Sequence, residues 1–405
     1  MIDRTPYNNQ NMRYFSIHTT RLTWQTIDGQ EIAEGSAPFR PPVTGFRLLY
    51  HARTAASIHA YLLLLAVALF SCRPAPSQST LQLSAGHQVV FLDSLLAARA
   101  IVEDKAEGFF DKITPLDMAI QMGRPLPDAF RREEWLADYR AFLRRDVESF
   151  SEEDQKLLRE AFRKAFELTE KLRPGLFPSG IRLIKTKGLH YGPSVYYTRE
   201  DCIIIPENEL TGGNLSGLTE VMLHEVFHIY SRYHPKEKEA LYRLIGFEPI
   251  TQPLSFPDTL ARRLLLNPDG IDVHYAITLQ LPEDSLPVRA IPLIVSAQPN
   301  YSPALPQFFA YLDFQLYPIQ EEAEGYRVVT QSSYRSPLPY PGKIASFFEQ
   351  IGDNTNYFIH PDEVLADNFV FLALAQTGTA DFALSNYSER GQEVLRGMEV
   401  VMRGE

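Results

Sequence analysis

The strongest constraint in the sequence is the stretch at residues 219–230, which is apolar on nearly every side and contains His224, Glu225 and His228. In an α-helix, residues four apart lie about 40° apart around the axis, so the two histidines project from one face. Burying two histidines beside a glutamate is costly unless these groups have polar or charged partners. Two neutral imidazoles at this spacing can bind one Zn²⁺. The segment therefore predicts a buried helix over about 216–233, with His224 and His228 as zinc ligands.

Glu225 is displaced by about 100° around the same helix, so it can reach a water on the metal without becoming a ligand. Zinc lowers the pKa of such a water towards about 7, and a nearby carboxylate can take its proton before the hydroxide attacks a carbonyl. The sequence therefore predicts a zinc-dependent hydrolase, and more narrowly a metallopeptidase, with Glu225 as general base. Two alternatives stay open: a zinc hydrolase of non-peptide amides or esters, and a non-catalytic envelope lipoprotein that uses the zinc fold as a binding module.

A catalytic zinc site needs a third protein ligand, and His234 is one of two candidates. It completes the pattern His-Glu-x-x-His-x-x-Ser-x-x-His, which resembles the metzincin arrangement except that Ser231 replaces the glycine of the helix-ending turn. The first helix breaker is Pro235, so a helix that runs to this point turns His234 away from the metal. No methionine lies between Met222 and Met398, so the methionine turn of that family is missing.

Glu363 is the other candidate for third ligand, on a helix expected to start near Pro361. Glu363 and Asp367 are four residues apart and share a helix face. A Glu-x-x-x-Asp helix after HExxH resembles the gluzincins, the thermolysin-like zinc peptidases, over residues 190–235 and 355–375. The resemblance implies that Glu363 binds the metal, that Asp367 accepts the free N–H of a ligating histidine, and that Zn²⁺ is the cofactor.

The same resemblance implies how a peptide or protein substrate binds. Residues 194–206 read as a β-hairpin ahead of the zinc helix, where gluzincins have an edge strand that pairs with an extended substrate. A donor for the oxyanion is also needed, and the candidates by residue type are His274, Tyr275, Tyr357 and His360.

The patterning predicts an α+β fold in which a helical N-terminal block precedes a small mixed β-sheet. The sheet is expected to pack on the HExxH helix and on a second helix that carries the third ligand. A helical subdomain is expected over residues 87–175, with its first helix at 88–108 and another capped by Ser151. The zinc-binding catalytic domain is expected over residues 176–405.

The N-terminal part contains an apolar run at residues 61–70, which is too short to cross a bilayer as a helix. The run ends in Leu-Phe-Ser-Cys, which resembles a bacterial lipoprotein signal in which Cys72 is lipidated, although Phe70 is larger than the usual residue. We therefore expect a leader and signal at 1–72, a tether at 73–86, and a lipid-anchored protein outside the cytoplasm in a bacterial envelope.

Residues 1–50 precede this signal, although a secretory signal normally begins a chain. One interpretation is that translation begins near Leu48 or Leu49, and the other is that a cytoplasmic arm precedes a short membrane anchor. The chain has a net charge of −11 and no long Lys/Arg run, which argues against nucleic-acid binding. If Cys72 carries lipid, Cys202 has no partner for a disulfide, and we expect it to be buried in its strand.

Overall fold

The computed structural model describes residues 78–282 and 286–404, so the leader, Cys72 and the start of the expected tether lie outside the described residues. Within this part, six strands form a first sheet in the order β1-β2-β4-β6-β5, with β3 paired to β4. The strands are β1 Gln78–Ser84, β2 His87–Leu92, β3 Val147–Glu148, β4 Gly180–Thr186, β5 Tyr197–Arg199 and β6 Cys202–Pro206. Strands β2, β4 and β6 are parallel, and β5 pairs antiparallel with β6 at one edge.

A second sheet of seven strands has the order β7-β10-β11-β12-β13-β8, with β9 paired to β11. It is antiparallel apart from the β8–β13 pair. Its strands are β7 Phe247–Pro249, β8 Leu254–Ser255, β9 Leu264–Leu265, β10 Tyr275–Leu279, β11 Val288–Ser296, β12 Leu312–Glu322 and β13 Gly325–Val328.

The helices of the described chain are distributed before, between and after the strands of the two sheets. They are α1 Ser94–Ala100, α2 Phe109–Lys112, α3 Pro115–Gln121, α4 Arg132–Asp146, α5 Glu152–Leu172, α6 Leu215–Tyr233, α7 Pro235–Leu244, α8 Asp258–Ala261, α9 Ala345–Ile351, α10 Pro361–Ala375 and α11 Glu389–Arg403. The mixture of helices and mixed sheets confirms the predicted α+β class.

Helix α6 carries the HExxH motif and is buried on all sides from Gly217 to Ser231, as its continuous apolar sequence predicts. The side chain of Asn214 caps its first turn by accepting the N–H of Gly217 at 3.2 Å. The helix packs against α5, α10 and the edge strand β5. It ends at Tyr233 because Pro235 begins the next helix, α7.

Helix α10 starts where the sequence indicated, with Pro361 in its first turn. His360 precedes it and caps it, since its Nδ1 accepts the N–H of Asp362 at 3.1 Å. The N-cap predicted at Ser151 is also present at the start of α5, where it forms a capping box with Asp154. Helices α6 and α10 pack side by side in the core, which brings their polar residues together.

The helix expected over residues 88–108 is wrong at both ends, because His87–Leu92 form strand β2 and helix α1 covers only Ser94–Ala100. Four consecutive buried residues at 89–92 are typical of a parallel strand covered on both faces, and in sequence they resemble part of a helix. Residues 78–84, expected in the tether, form β1 and pair with β2. Strand β2 pairs with β4, so the predicted helical block and the later residues share one sheet.

None of the helices between residues 78 and 404 that the structure describes has both the length and the apolar character needed to cross a membrane.

Candidate metal centre

His224, His228 and Glu363 meet at the contact between α6 and α10. The Nε2 atoms of His224 and His228 lie 3.1 Å and 3.5 Å from the same Oε2 of Glu363. The ligand atoms of all three residues lie within 4.8 Å of one another. Two ligands bound to zinc at about 2.0–2.1 Å in a tetrahedral site are about 3.3 Å apart. The spacing of these three side chains therefore fits a metal ion bound between them.

Each histidine is hydrogen-bonded to a carboxylate through its Nδ1, the ring nitrogen that does not face Glu363. The Nδ1–H of His224 donates to Asp367 at 3.0 Å, and that of His228 donates to Asp362 at 2.8 Å. With the Nδ1–H donated in this way, a neutral imidazole presents the lone pair of its Nε2 towards Glu363, as metal binding requires. Glu363 is oriented in a similar way, because the side-chain amide of Asn267 donates to its Oε1 at 2.6 Å. All three candidate ligands are therefore held in place by hydrogen bonds to neighbouring side chains.

Asp362 was not identified from the sequence as a site residue. Its other oxygen accepts hydrogen bonds from the hydroxyl of Ser231 at 2.6 Å and from that of Tyr242 at 2.9 Å. Burial alone would raise its pKa, but the charge of Lys238 and the hydrogen bond from His228 outweigh burial and hold the pKa below its usual range. Asp362 therefore remains an anion beside His228. In the sequence it is indistinguishable from an acidic residue in the first turn of a helix.

Glu225 is 3% exposed, and its Oε2 has no hydrogen-bond partner among the described residues. Burial, with a further contribution from the negative charge of Asp269, raises the pKa of Glu225 to about 8. The Nε2 of His228 likewise has no hydrogen-bond partner within the described chain. Buried polar atoms without partners are costly, and a cation between the three ligand atoms would supply the partner of this nitrogen.

The surrounding carboxylates favour positive charge at the two imidazoles. Burial would lower the pKa of His224, but its hydrogen bonds to Asp367 and Glu363 outweigh burial and raise the pKa to about 10. The pKa of His228 is also well above its ordinary value, because the charges of Asp269 and Glu363 outweigh burial. A site with this electrostatic character takes up either protons or a metal ion, and the two compete.

Asp269 is a second residue that the sequence did not reveal. Its Oδ1 accepts both the backbone N–H and the hydroxyl of Thr198, each at 2.6 Å, so it lies against the edge strand β5. The loop that carries it packs closely on the start of α10: a Cβ at Gly270 would lie 2.1 Å from the ring of His360. Only the folded chain brings this loop close to α6, so no local pattern could have identified it.

The predicted hairpin is present, and its strand β5 is the edge strand next to α6. Arg232 of α6 fixes this strand by donating to the hydroxyl of Thr198 at 2.9 Å and to the carbonyl of Glu200 at 3.0 Å. The same guanidinium pairs with Glu107 at 2.6 Å. The edge strand is therefore rigidly attached to the helix that carries the candidate ligands.

His234, the alternative third ligand, is not among the grouped residues. Its Nδ1–H donates to the carbonyl of Tyr230 at 2.8 Å, and its ring stacks on that of Tyr230 with centroids 4.2 Å apart. His234 lies apart from the other candidate ligands because α6 continues without a break through Ser231 to Tyr233, as the sequence indicated.

The four candidates for an oxyanion donor lie in different surroundings. The ring of Tyr357 borders the site, with its centroid 6.2 Å from that of His224, and burial next to Glu363 and Asp269 raises its pKa well above 10. His360 caps α10, and His274 is exposed and paired with Asp272. Tyr275 packs on the ring of Tyr242 with centroids 4.5 Å apart.

Cys202 lies in β6, is 1% exposed and has a free thiol, and burial raises the pKa of that thiol. This confirms the expectation that it is buried in its strand. Cys72, the predicted lipidation site, lies outside the described residues.

No protein-family model matches this chain, and no characterised protein or solved structure matches it either. The chemistry of the site is therefore inferred from its own residues.

Proposed function

We propose that this protein is a zinc-dependent hydrolase that cleaves peptide bonds, with His224, His228 and Glu363 as zinc ligands. The observation that carries the proposal is the convergence of these three ligand atoms beside Glu225, a buried carboxylate whose Oε2 has no partner within the described chain. When bound, zinc would act as a Lewis acid that activates water and polarises a substrate carbonyl.

Glu225 is the general base of the proposed reaction. It follows His224 directly in α6, so it adjoins the metal ligands without being one of them. Its carboxylate accepts a proton from the attacking water and passes it to the leaving amine, which is the usual task of a carboxylate with a pKa near the working pH. Asp362, Asp367 and Asn267 hold the three ligands and take no part in proton transfer.

A peptide is the proposed substrate for two reasons. The pair of helices carries the gluzincin-like pattern of His224, His228, Glu363 and Asp367, and the structure holds Asp367 against His224 at 3.0 Å. The strand β5 lies against α6, which is the place of the substrate-binding edge strand in the gluzincins that this chain resembles.

The substitution Glu225→Gln tests the proposal. It removes the base but leaves the ligands, so the variant should keep its zinc while kcat for peptide hydrolysis falls by about 10²- to 10⁴-fold. Glu160→Gln, at an exposed position on α5, is the matched control and should behave as the parent protein does. Equal activity in Glu225→Gln and the parent, or zinc binding without hydrolysis of any peptide, would favour the non-catalytic binding module.

We also propose that the protein is anchored to a bacterial envelope membrane by lipid on Cys72 and faces away from the cytoplasm. The support is the sequence pattern at residues 61–72, an apolar run followed by Leu-Phe-Ser-Cys. An anchor at this position would place the zinc site among extracytoplasmic peptides or proteins.

A further inference from the structure

The two carboxylate oxygens of Glu363 have different partners. Oε2 faces both imidazoles, since the Nε2 atoms of His224 and His228 lie 3.1 Å and 3.5 Å from it. Oε1 accepts a hydrogen bond of 2.6 Å from the side-chain amide of Asn267. Glu363 is 1% exposed, so both oxygens depend on partners within the protein. One oxygen therefore belongs to the group of candidate ligands, and the other belongs to Asn267.

The amide of Asn267 is buried and has a defined orientation. Its own oxygen accepts the backbone N–H of Asp269 at 3.4 Å, so the amide nitrogen is the atom that faces Glu363. The partner requires the same orientation, because an ionised carboxylate can only accept hydrogen bonds. Asn267 therefore acts on Oε1 as a donor.

The loop that carries Asn267 is attached to two other parts of the fold. On one side of Asn267, the backbone N–H of Leu266 donates to Asp117 of α3 at 3.0 Å. On the other side, Asp269 accepts the backbone N–H of Thr198 in β5 at 2.6 Å. These contacts hold the loop in place, so Asn267 fixes the rotation of the Glu363 carboxylate rather than following it.

The fixed rotation matters because a carboxylate can bind a metal ion through one oxygen or through both. A catalytic zinc site has three protein ligands and keeps a further position for water, whereas a structural site has no such position. A second oxygen from Glu363 would compete for the position of the water. Donation to Oε1 also withdraws negative charge from the carboxylate, which leaves a bound metal ion a stronger Lewis acid.

We propose that Asn267 is a positioning residue that restricts Glu363 to metal binding through Oε2 alone, which keeps one coordination position for water. This inference rests on the proposed function and adds the residue that makes the site suited to catalysis. Asn267 acts only through Glu363, while Glu225 remains the general base.

The test is Asn267→Leu in the full chain loaded with cobalt(II) in place of zinc. Leucine has a similar shape but no N–H, so Oε1 loses its partner in a buried site and can turn to the metal. The visible absorption of cobalt(II) reports coordination geometry, because it is strong in four-coordinate sites and weaker at higher coordination numbers. We expect one bound cobalt in both proteins and a weaker absorption in Asn267→Leu. With zinc, kcat of the variant should fall by about 10- to 100-fold.

Two further variants complete the comparison. Asn300→Leu, at an exposed position, is the matched control and should keep the absorption and activity of the parent. Asn267→Ala removes the same amide without adding apolar atoms, so it should reproduce the weaker absorption and replaces Asn267→Leu if leucine prevents folding.

The outcomes distinguish this inference from the proposed function. An unchanged absorption in both Asn267 variants, or a parent protein that already has the weak absorption of a higher coordination number, would overturn the role of Asn267 and leave the proposed ligands standing. Loss of cobalt from both variants would also overturn it, because Asn267 would then be needed for metal binding itself. A parent protein that binds no cobalt would contradict the proposed metal centre.

Discussion

Ser231 donates a hydrogen bond of 2.6 Å to Asp362, the carboxylate that holds His228 by its Nδ1. In the metzincin pattern this position is the glycine at which the helix breaks, whereas here the helix continues and the serine donates to the carboxylate that orients His228, a candidate metal ligand. The contact therefore favours the gluzincin-like interpretation of the motif, which we propose, over the metzincin-like one. With Ser231 in this role, Glu363 of α10 is the proposed third ligand, and His234 at the end of α6 is not.

The first prediction concerns the hydrogen bonds by which Ser231 and Asp362 hold His228. Asp362→Asn should weaken zinc binding by about 10- to 100-fold, because the anion that orients His228 is lost. Ser231→Ala should weaken it less, and its effect should shrink further in the Asp362→Asn background, since the two residues act through one contact. Competition with a chelator of known affinity measures the zinc affinity of the parent, the two single variants and the double variant. The same loss on Ser231→Ala in both backgrounds would contradict the coupling.

The second prediction separates the two candidate third ligands. Glu363→Gln removes the carboxylate that faces both imidazoles, so zinc affinity should fall by at least about 10²-fold, as expected when a ligand is lost. His234→Gln should keep the affinity of the parent, because this ring is hydrogen-bonded and stacked on Tyr230. If His234→Gln released zinc and Glu363→Gln retained it, the metzincin-like ligand set would be correct.

The third prediction concerns stability and pH. Burial raises the pKa of Asp117 from 3.8 to about 6, against the hydrogen bonds donated by Leu266 and Gln121 and the charge of Arg199. The folded state therefore holds this proton more tightly than the unfolded state, and the protein loses stability as pH rises from about 4 to about 7. Relative to Asp117→Asn, the free energy of unfolding should fall over this window by on the order of 2–3 kcal/mol.

Chemical denaturation with a chelator in every sample measures this difference without a contribution from zinc binding. Asp128→Asn, at an exposed position, is the control and should parallel the parent at each pH. A difference between the parent and Asp117→Asn that stays constant from pH 4 to pH 7 would contradict the assignment.

The part of the site that could be predicted from sequence is the part that depends on local helix geometry. His224 and His228 share a face of one helix, and Glu363 and Asp367 share a face of another, so spacing alone was informative. Asp362 and Asp269 act through contacts with residues more than 70 positions away, and no local pattern encodes such contacts.

The secondary structure shows the same difference between elements with local sequence signals and elements that depend on long-range contacts. Helices α5, α6 and α10 had clear caps or periodicity, and the structure confirms them. Strand β2 was interpreted as helix because a short apolar run is ambiguous until its neighbours are known, and here β1 and β4 pair with it on either side.

The fourth prediction concerns location and applies to a region outside the described residues. The mature chain should begin at Cys72 and carry lipid there, because this cysteine closely follows the apolar run at 61–70, which is too short to span a bilayer. The measurement is the intact mass of the membrane-extracted protein. The Cys72→Ser variant should lack the additional mass of the lipid. A mature amino terminus upstream of residue 60, or an unmodified Cys72 in a protein found in the cytoplasm, would contradict the envelope location.

The fifth and most direct test is the zinc content of the purified protein, measured by elemental analysis against protein concentration. The parent protein should carry one zinc per chain, and His224→Ala and His228→Ala should each lose it, because each removes one of three ligands. His274→Ala is the matched control, since this histidine is exposed and paired with Asp272, and it should keep the full zinc content. A parent protein that binds no zinc even when the metal is supplied, or histidine variants that retain it, would contradict the proposed metal centre.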